Sequence, residues 1–338
     1  MSARARLRRS AAVALVSAIT AGSALLLTAC DPDGTDSATG TTGSPAATAS
    51  ASSGSTAEPS EAAPSASRNG GTLNRTAGTG LTVSTGTSTV LMDGKSVDFG
   101  TVVRDLAWSP DGKHAAFIDG SGNLQTSDPD GSHKTVIAKA PAGVTWSHPT
   151  WQVTTPDQYD KGRTNIVFAA DDKGVLRLLS VPAKAGATPA VLALNPYSDD
   201  NPKVPPATGN QWPGSTGAHG SIVYANKDDG QVYHRDDYLR QQGGVTTKGS
   251  QPAADDEGDL VFVRSVGGHD HIFERTNDDS HQERDLTPDA AVDYTEPVIS
   301  HDGRTVAFRG PDGIYTVPTR GGKPERITDT VGLPAFRS

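Results

Sequence analysis

The residues of this chain best suited to chemistry are one cysteine and a recurring set of aspartates. Cys30 is the single cysteine, so no intramolecular disulfide can form and its thiol is free to act as a nucleophile. The aspartates recur between short apolar runs, as Asp119-Gly120, Asp171-Asp172, Asp228-Asp229-Gly230, Asp270 and Asp312-Gly313. A second set, Asp105, Asp199, Asp200, Asp293 and Glu296, precedes other apolar runs. Carboxylates gathered on one rim would attract a basic segment or a cation. Asp-Gly is also the preferred hairpin dipeptide, which accounts for the recurrence without any ligand.

Other clusters imply less. His269-Asp270-His271 could place two imidazoles on one face of a strand. Gly267-Gly268 beside it marks a hairpin and no third ligand is evident, so these read as solvated turn histidines. Asp128-Pro129-Asp130-Gly131-Ser132 opens like a calcium loop but lacks the downstream bidentate glutamate, and reads as a turn. No G-x-S-x-G nucleophile motif occurs, so no catalysis is expected. No metal or other cofactor is expected either. Trp108, Trp146 and Trp151 read as structural. Trp212 falls in an insertion where nothing forces burial, which makes it the aromatic best placed to anchor a partner.

A repeat must position these groups. Trp108-Ser109-Pro110-Asp111-Gly112-Lys113, followed by His114-Ala115-Ala116-Phe117, reads as strand, tight turn, strand. Pro110 fixes φ, Asp111 can bond its own backbone and Gly112 tolerates positive φ. Ser300-His301-Asp302-Gly303-Arg304 and Thr305-Val306-Ala307-Phe308 repeat the phrase. The second-strand aromatic recurs as Phe117, Phe168, Tyr224, Phe262 and Phe308, with Val83 equivalent. Third strands start near Val90, Leu124, Leu176, Val232, Ile272 and Ile314. Inner strands begin near Leu106, Pro149, Pro202, Pro252, Pro297 and Pro334. Their spacing of roughly 40–50 residues is the length of one four-stranded blade. Insertions over 154–165 and 208–220 lengthen the second and third units. Residues 81–100 hold the second to fourth strands of a blade, and residues 332–338 hold an inner strand alone. The predicted fold is therefore all-β: a six-bladed β-propeller of four-stranded antiparallel blades, closed by pairing of the N- and C-terminal strands. In such a ring, the hairpins between second and third strands share a rim with the segments entering the inner strands. The aspartates would then circle one channel mouth.

Over residues 81–338 this pattern resembles the six-bladed propeller of the TolB family. The resemblance rests on the Trp108–Lys113 run and the weaker His301–Arg304 run. Asp255-Asp256-Glu257-Gly258 is a diluted form, and the second and third units lack it. The resemblance implies a partner-binding protein outside the cytoplasm. The same propeller also gates some serine peptidases, in which catalysis belongs to a separate domain.

The N-terminus predicts the address. Arg4, Arg6, Arg8 and Arg9 precede an apolar run from Ala11 to Leu27, the layout of an export signal. Leu27-Thr28-Ala29-Cys30 resembles the lipobox of bacterial lipoproteins, in which the cysteine sulfur receives a diacylglycerol and a peptidase cuts just before it. Arg8-Arg9 fits a twin-arginine signal poorly. Residues 31–80 are rich in Ser, Thr, Ala, Gly and Pro with almost no large apolar side chain before Leu73, so they cannot offset ordering entropy. The organisation read here is a signal peptide over 1–29, a disordered stalk over 30–80 and a propeller over 81–338. The net charge is −9, and residues 1–29 carry four arginines and no acid, leaving −13 for the remainder. That balance argues against a nucleic-acid partner. The expected protein is a monomeric, non-catalytic binding scaffold, lipid-anchored through Cys30 on the outer face of the cell membrane, with a protein partner in the envelope. The alternatives are an envelope hydrolase or lyase acting on sugar or peptide in the channel, and an accessory lipoprotein of a membrane sensor.

Overall fold

A computed structural model describes residues 72–194, 204–216, 219–237 and 242–338. The signal peptide, Cys30, most of the stalk, Asp199 and Asp200 lie outside the described residues. Within them the chain forms 24 strands arranged as six four-stranded antiparallel sheets. It begins with β1 (Leu81–Ser84), β2 (Thr89–Met92) and β3 (Lys95–Asp98). The first complete blade is β4 (Arg104–Trp108), β5 (Ala115–Ile118), β6 (Leu124–Ser127) and β7 (Thr135–Ala138). The second is β8 (Val144–Thr154), β9 (Arg163–Asp172), β10 (Val175–Pro182) and β11 (Ala190–Val191). The third is β12 (Asn210–Thr216), β13 (Ser221–Asn226), β14 (Gln231–Arg235) and β15 (Gly243–Lys248). The fourth is β16 (Ser250–Ala254), β17 (Leu260–Val266), β18 (His269–Arg275) and β19 (Glu283–Asp285). The fifth is β20 (Thr295–Ile299), β21 (Thr305–Gly310), β22 (Gly313–Pro318) and β23 (Glu325–Thr328). The sixth joins β24 (Leu333–Phe336) to β1, β2 and β3.

The second-strand aromatics lie where the blades press together. Phe117, Phe168, Tyr224, Phe262 and Phe308 are all fully buried. Phe168 and Ile166 of the second blade pack with Ile118 and Ile137 of the first, and Phe308 packs with Val261 and Ile272 of the fourth. Truncating such a core phenylalanine to alanine typically costs about 3–5 kcal/mol. Low aromatic content therefore suffices: five blade interfaces each receive a buried ring, and between the fifth and sixth blades Leu81, Val83 and Ile314 pack instead.

The two turn motifs fold alike. Ser109 Oγ donates to Asp111 Oδ1 (2.6 Å), and the His114 amide donates back to Ser109 Oγ (3.0 Å). Ser300 Oγ donates to Asp302 Oδ1 (2.6 Å), and the Thr305 amide to Ser300 Oγ (3.0 Å). In the diluted fourth-blade version, Asp255 takes the serine's place and its carboxylate accepts from the Asp259 amide (2.8 Å). Burial pushes the Asp255 carboxyl up to about 6.

The ring closes as the sequence predicts. Leu81 pairs with Phe336, Val83 with Pro334 and Ser84 with Leu333. Beyond this strand Arg337 donates through Nε to the Gly112 carbonyl (2.7 Å) and lies over the Trp108 ring (4.9 Å). Trp108 in turn donates through Nε1 to Thr82 Oγ1 (3.0 Å). The last residues thus tie the sixth blade to the first.

Two boundaries differ from the sequence reading. The inner strand of the third blade is β12, with Pro213 in the place assigned to Pro202, so the extra chain precedes that strand. Both prolines follow polar segments, and the sequence alone offered no packing to choose between them. Residues 73–80, read as the end of the stalk, are tied to the fifth blade. The Leu73 amide donates to Asp329 Oδ2 (3.0 Å), the Arg75 amide to the Ile327 carbonyl (2.9 Å), and Thr76 is fully buried.

Deleting residues 332–338 should expose the inner edge of β1. The expected outcome is a drop in melting temperature and aggregation in static light scattering; a soluble variant with unchanged melting would contradict closure by this strand.

Candidate functional site

Five inner strands share one irregularity. The ladder to the second strand is interrupted between Arg104 and Ala107, Ser147 and Thr150, Gln211 and Gly214, Ser250 and Ala253, and Thr295 and Val298. At each bulge a non-glycine residue holds positive φ: Asp105 (54°), His148 (50°), Trp212 (49°), Gln251 (51°) and Glu296 (52°). The next residue is Leu106, Pro149, Pro213, Pro252 or Pro297, each buried. Proline lacks the ladder donor, so a bulge is where a strand tolerates it. Each left-handed non-glycine residue costs on the order of 1–3 kcal/mol, and all five side chains line the same cavity at the centre of the ring.

Their contacts join neighbouring blades and also reach across the channel to the fifth blade. Asp105 Oδ2 accepts from the His148 amide (3.0 Å), and Gln251 Oε1 accepts from the Glu296 amide (2.6 Å). Trp212 donates through Nε1 to Glu296 Oε1 (3.3 Å), and its ring meets His148 edge-on at 6.1 Å. His148 Nε2 is 3.4 Å from Glu296 Oε2 and its Nδ1 is 3.9 Å from Asp105 Oδ2. The closer pair is not aligned as a hydrogen bond, so it acts as a charge contact. Burial alone would lower the His148 pKa, but Glu296 and then Asp105 outweigh it and hold the pKa above the ordinary value. Burial would raise Glu296, but His148, Arg309 and Trp212 hold it below the usual carboxylate range. The cavity between these groups has a volume of about 190 Å³.

No protein-family model and no curated protein matches the sequence. Solved structures do match in fold. TolB from Acinetobacter baumannii superposes with a TM-score of 0.55 at 15% identity, covering 76% of this chain and 66% of that one. A putative TolB from Agrobacterium tumefaciens gives 0.51 at 17% identity, covering 76% and 88%. A chain of a nidogen/laminin complex gives 0.52 at 11% identity, covering 76% and 97%. The fold is a TolB-like six-bladed propeller. Fold does not settle function, so the chemistry has to come from the side chains at the centre of this propeller.

Of the acids read from sequence, Asp105 and Glu296 meet at the channel. On the rim hairpins, Asp119, Asp171 and Asp229 act as turn formers. Asp119 is buried: burial alone would raise its carboxyl, but the Asn123 amide, Gln125, the Asn123 side chain and the Ser121 amide outweigh it and lower the pKa. Asp171 accepts from the Gly174 amide (2.6 Å), and Asp229 from the Gln231 amide (2.9 Å) and Tyr233 Oη (2.6 Å). Asp293 accepts from the Asp270 amide (3.0 Å), and Asp312 pairs with Arg326 and accepts from Tyr315 Oη (2.7 Å). Asp172 and Asp228 remain exposed. Trp212 belongs to the inner strand β12, not to an insertion. His271, read as a solvated turn residue, is buried with Nδ1 2.8 Å from Asp285 Oδ2. His148 and Gln251 escaped notice in the sequence. Aligning the inner-strand prolines would have found both, since each stands just before one.

A raised His148 pKa contributes stability in full below its ordinary 6.5, and the contribution is lost as pH rises through the raised value. A lowered Glu296 pKa contributes above its ordinary 4.5 and is lost as pH falls through the lowered value. His148→Gln should therefore melt lower than wild type at pH 5.5, with the gap narrowing as pH rises to 9. Parallel melting-temperature profiles for the two proteins would contradict the pairing.

Proposed function

We propose that this chain is a lipid-anchored, extracytoplasmic binding module that receives a side chain of a protein partner at the mouth of its channel and catalyses no reaction. The observation that carries the reading is the convergence of Asp105, His148, Trp212, Gln251 and Glu296, each on a strained bulge, around one small cavity. Strain of this kind persists where the surrounding fold over-determines it, and it clusters at functional sites.

The size of the cavity favours a partner over a substrate. Sites for small molecules run to about 300–1,000 Å³, whereas this one holds about 190 Å³. That suits one inserted side chain. Trp212 offers an aromatic wall of the type enriched in interface anchors. His148 stands between two carboxylates and is poorly placed to serve as a free base. The first described residues are held on the rim of the channel mouth. Leu73 contacts Asp329, and Arg326 beside it reaches both Asp329 and Asp312 of the β21–β22 hairpin.

The test has two arms. Cys30→Ala, expressed in the native host, should leave the membrane fraction and appear in the medium; continued membrane association would refute the anchor. For the site, a random peptide library displayed on phage is selected against the Cys30→Ala chain. Enriched peptides should lose at least about tenfold in affinity, the scale of a hot-spot truncation, on Trp212→Ala and little on Asp172→Asn. Peptides indifferent to Trp212→Ala would move the binding face elsewhere.

A further inference from the structure

Between the first and second blades lies a cavity of about 470 Å³ that shares no lining residue with the channel site. Its wall is apolar: Val144, Trp146, Ala170, Leu179 and Val191 line it. Val191 is 62% exposed. Trp146 is only 2% exposed and packs on Phe168 with ring centres 4.7 Å apart. Its indole N–H has no hydrogen-bond partner among the described residues. Buried donors are normally paired, and an exception asks for an explanation.

The charges at this cavity run against those of the protein. The chain as a whole is at −9. Here Lys139 and Arg177 line the cavity with only Asp172 as a counter-charge. Among the described residues neither cation makes an ion pair or a side-chain hydrogen bond. On most of the fold the arginines are engaged, as in Arg163 with Asp237 and Arg264 with Glu283. Val175, Arg177 and Leu179 alternate along β10 so that all three project to the same side. The strand therefore presents a guanidinium flanked by aliphatic groups.

We infer that this cavity binds a small apolar carboxylate, with its aromatic or acyl body against Trp146, Leu179 and Val191 and its anionic head toward Arg177 and Lys139. The volume falls within the range of about 300–1,000 Å³ usual for drug-sized ligands. An apolar wall supplies most of the affinity by removing surface from water. The two cations select the sign of the head group. This site is independent of the channel mouth, and either can fail without the other.

The test uses the purified Cys30→Ala chain with 8-anilinonaphthalene-1-sulfonate as an anionic apolar probe, followed by its fluorescence and displaced with decanoate. Saturable one-site binding with competition by decanoate is expected. Arg177→Gln and Lys139→Gln should each weaken it about fivefold, the upper range for one exposed charge contact. Asp172→Asn should tighten it, which keeps the test meaningful if another variant folds poorly. The uncharged analogue N-phenyl-1-naphthylamine should bind without regard to any of these substitutions. Absence of saturable binding, or anionic-probe affinity unchanged within twofold in both cation variants, would overturn the site. Trp212→Ala should leave the probe unaffected; loss of binding there would place the probe in the channel and also overturn it.

Discussion

The pairing of β24 with β1 is the contact on which the rest of the ring depends. A propeller blade packs its faces on its two neighbours, so each sheet relies on the next one being present. Without Leu333–Phe336 the sixth blade would hold three strands, and β1 would present unpaired amides and carbonyls to the channel. The clasp is reinforced from outside the ladder. Arg337 reaches over Trp108 to the Gly112 carbonyl, while Trp108 donates to Thr82. The turn of the Trp108–Lys113 motif thus serves two ends. It reverses the chain of the first blade, and it offers a carbonyl to the residue that follows the closing strand.

Closure also explains why the channel can tolerate strain. Five residues sit in left-handed backbone at equivalent bulges. A bulge frees an amide from the ladder, and the side chain of the preceding blade answers it in two places, Asp105 to His148 and Gln251 to Glu296. Each bulge therefore both aims a side chain inward and links two blades. Because the ring is complete, no bulge can relax without disturbing its neighbours. The sixth inner strand differs: Leu333 is paired regularly with Ser84 and has no inward polar group. The channel mouth is accordingly lopsided, with its polar contacts on five blades and an apolar segment on the sixth.

Charge is distributed by the same logic. The mouth is nearly balanced, since His148 and Arg309 face Asp105 and Glu296. On the rim, Asp119, Asp171 and Asp229 cap backbone amides of their own hairpins, so part of the negative charge of the chain serves the turns. The cavity between the first and second blades carries two cations, Lys139 and Arg177, against one carboxylate, Asp172.

Much of this was legible in the sequence. The second-strand aromatics, the two Ser/Asp/Gly turns and the split sixth blade follow from local rules: alternation, turn chemistry and the length of a four-stranded unit. Phe117, Phe168, Tyr224, Phe262 and Phe308 all occupy the buried positions that their spacing implies. The prolines of the inner strands were also visible, but their partners were not. Whether Pro202 or Pro213 opens the third blade depends on which one stacks beside Pro149 and Pro252, and that is a contact between segments distant in sequence. For the same reason the aspartates could be located on a rim but not sorted into turn formers and channel residues. An aspartate two residues before a free amide looks the same in sequence whether it caps that amide or faces a ligand. The sequence by itself determined the repeat, the closure and the candidate lipid anchor. Only the tertiary structure decided that His148 stands between Asp105 and Glu296, because that meeting is made by three blades and by no stretch of chain.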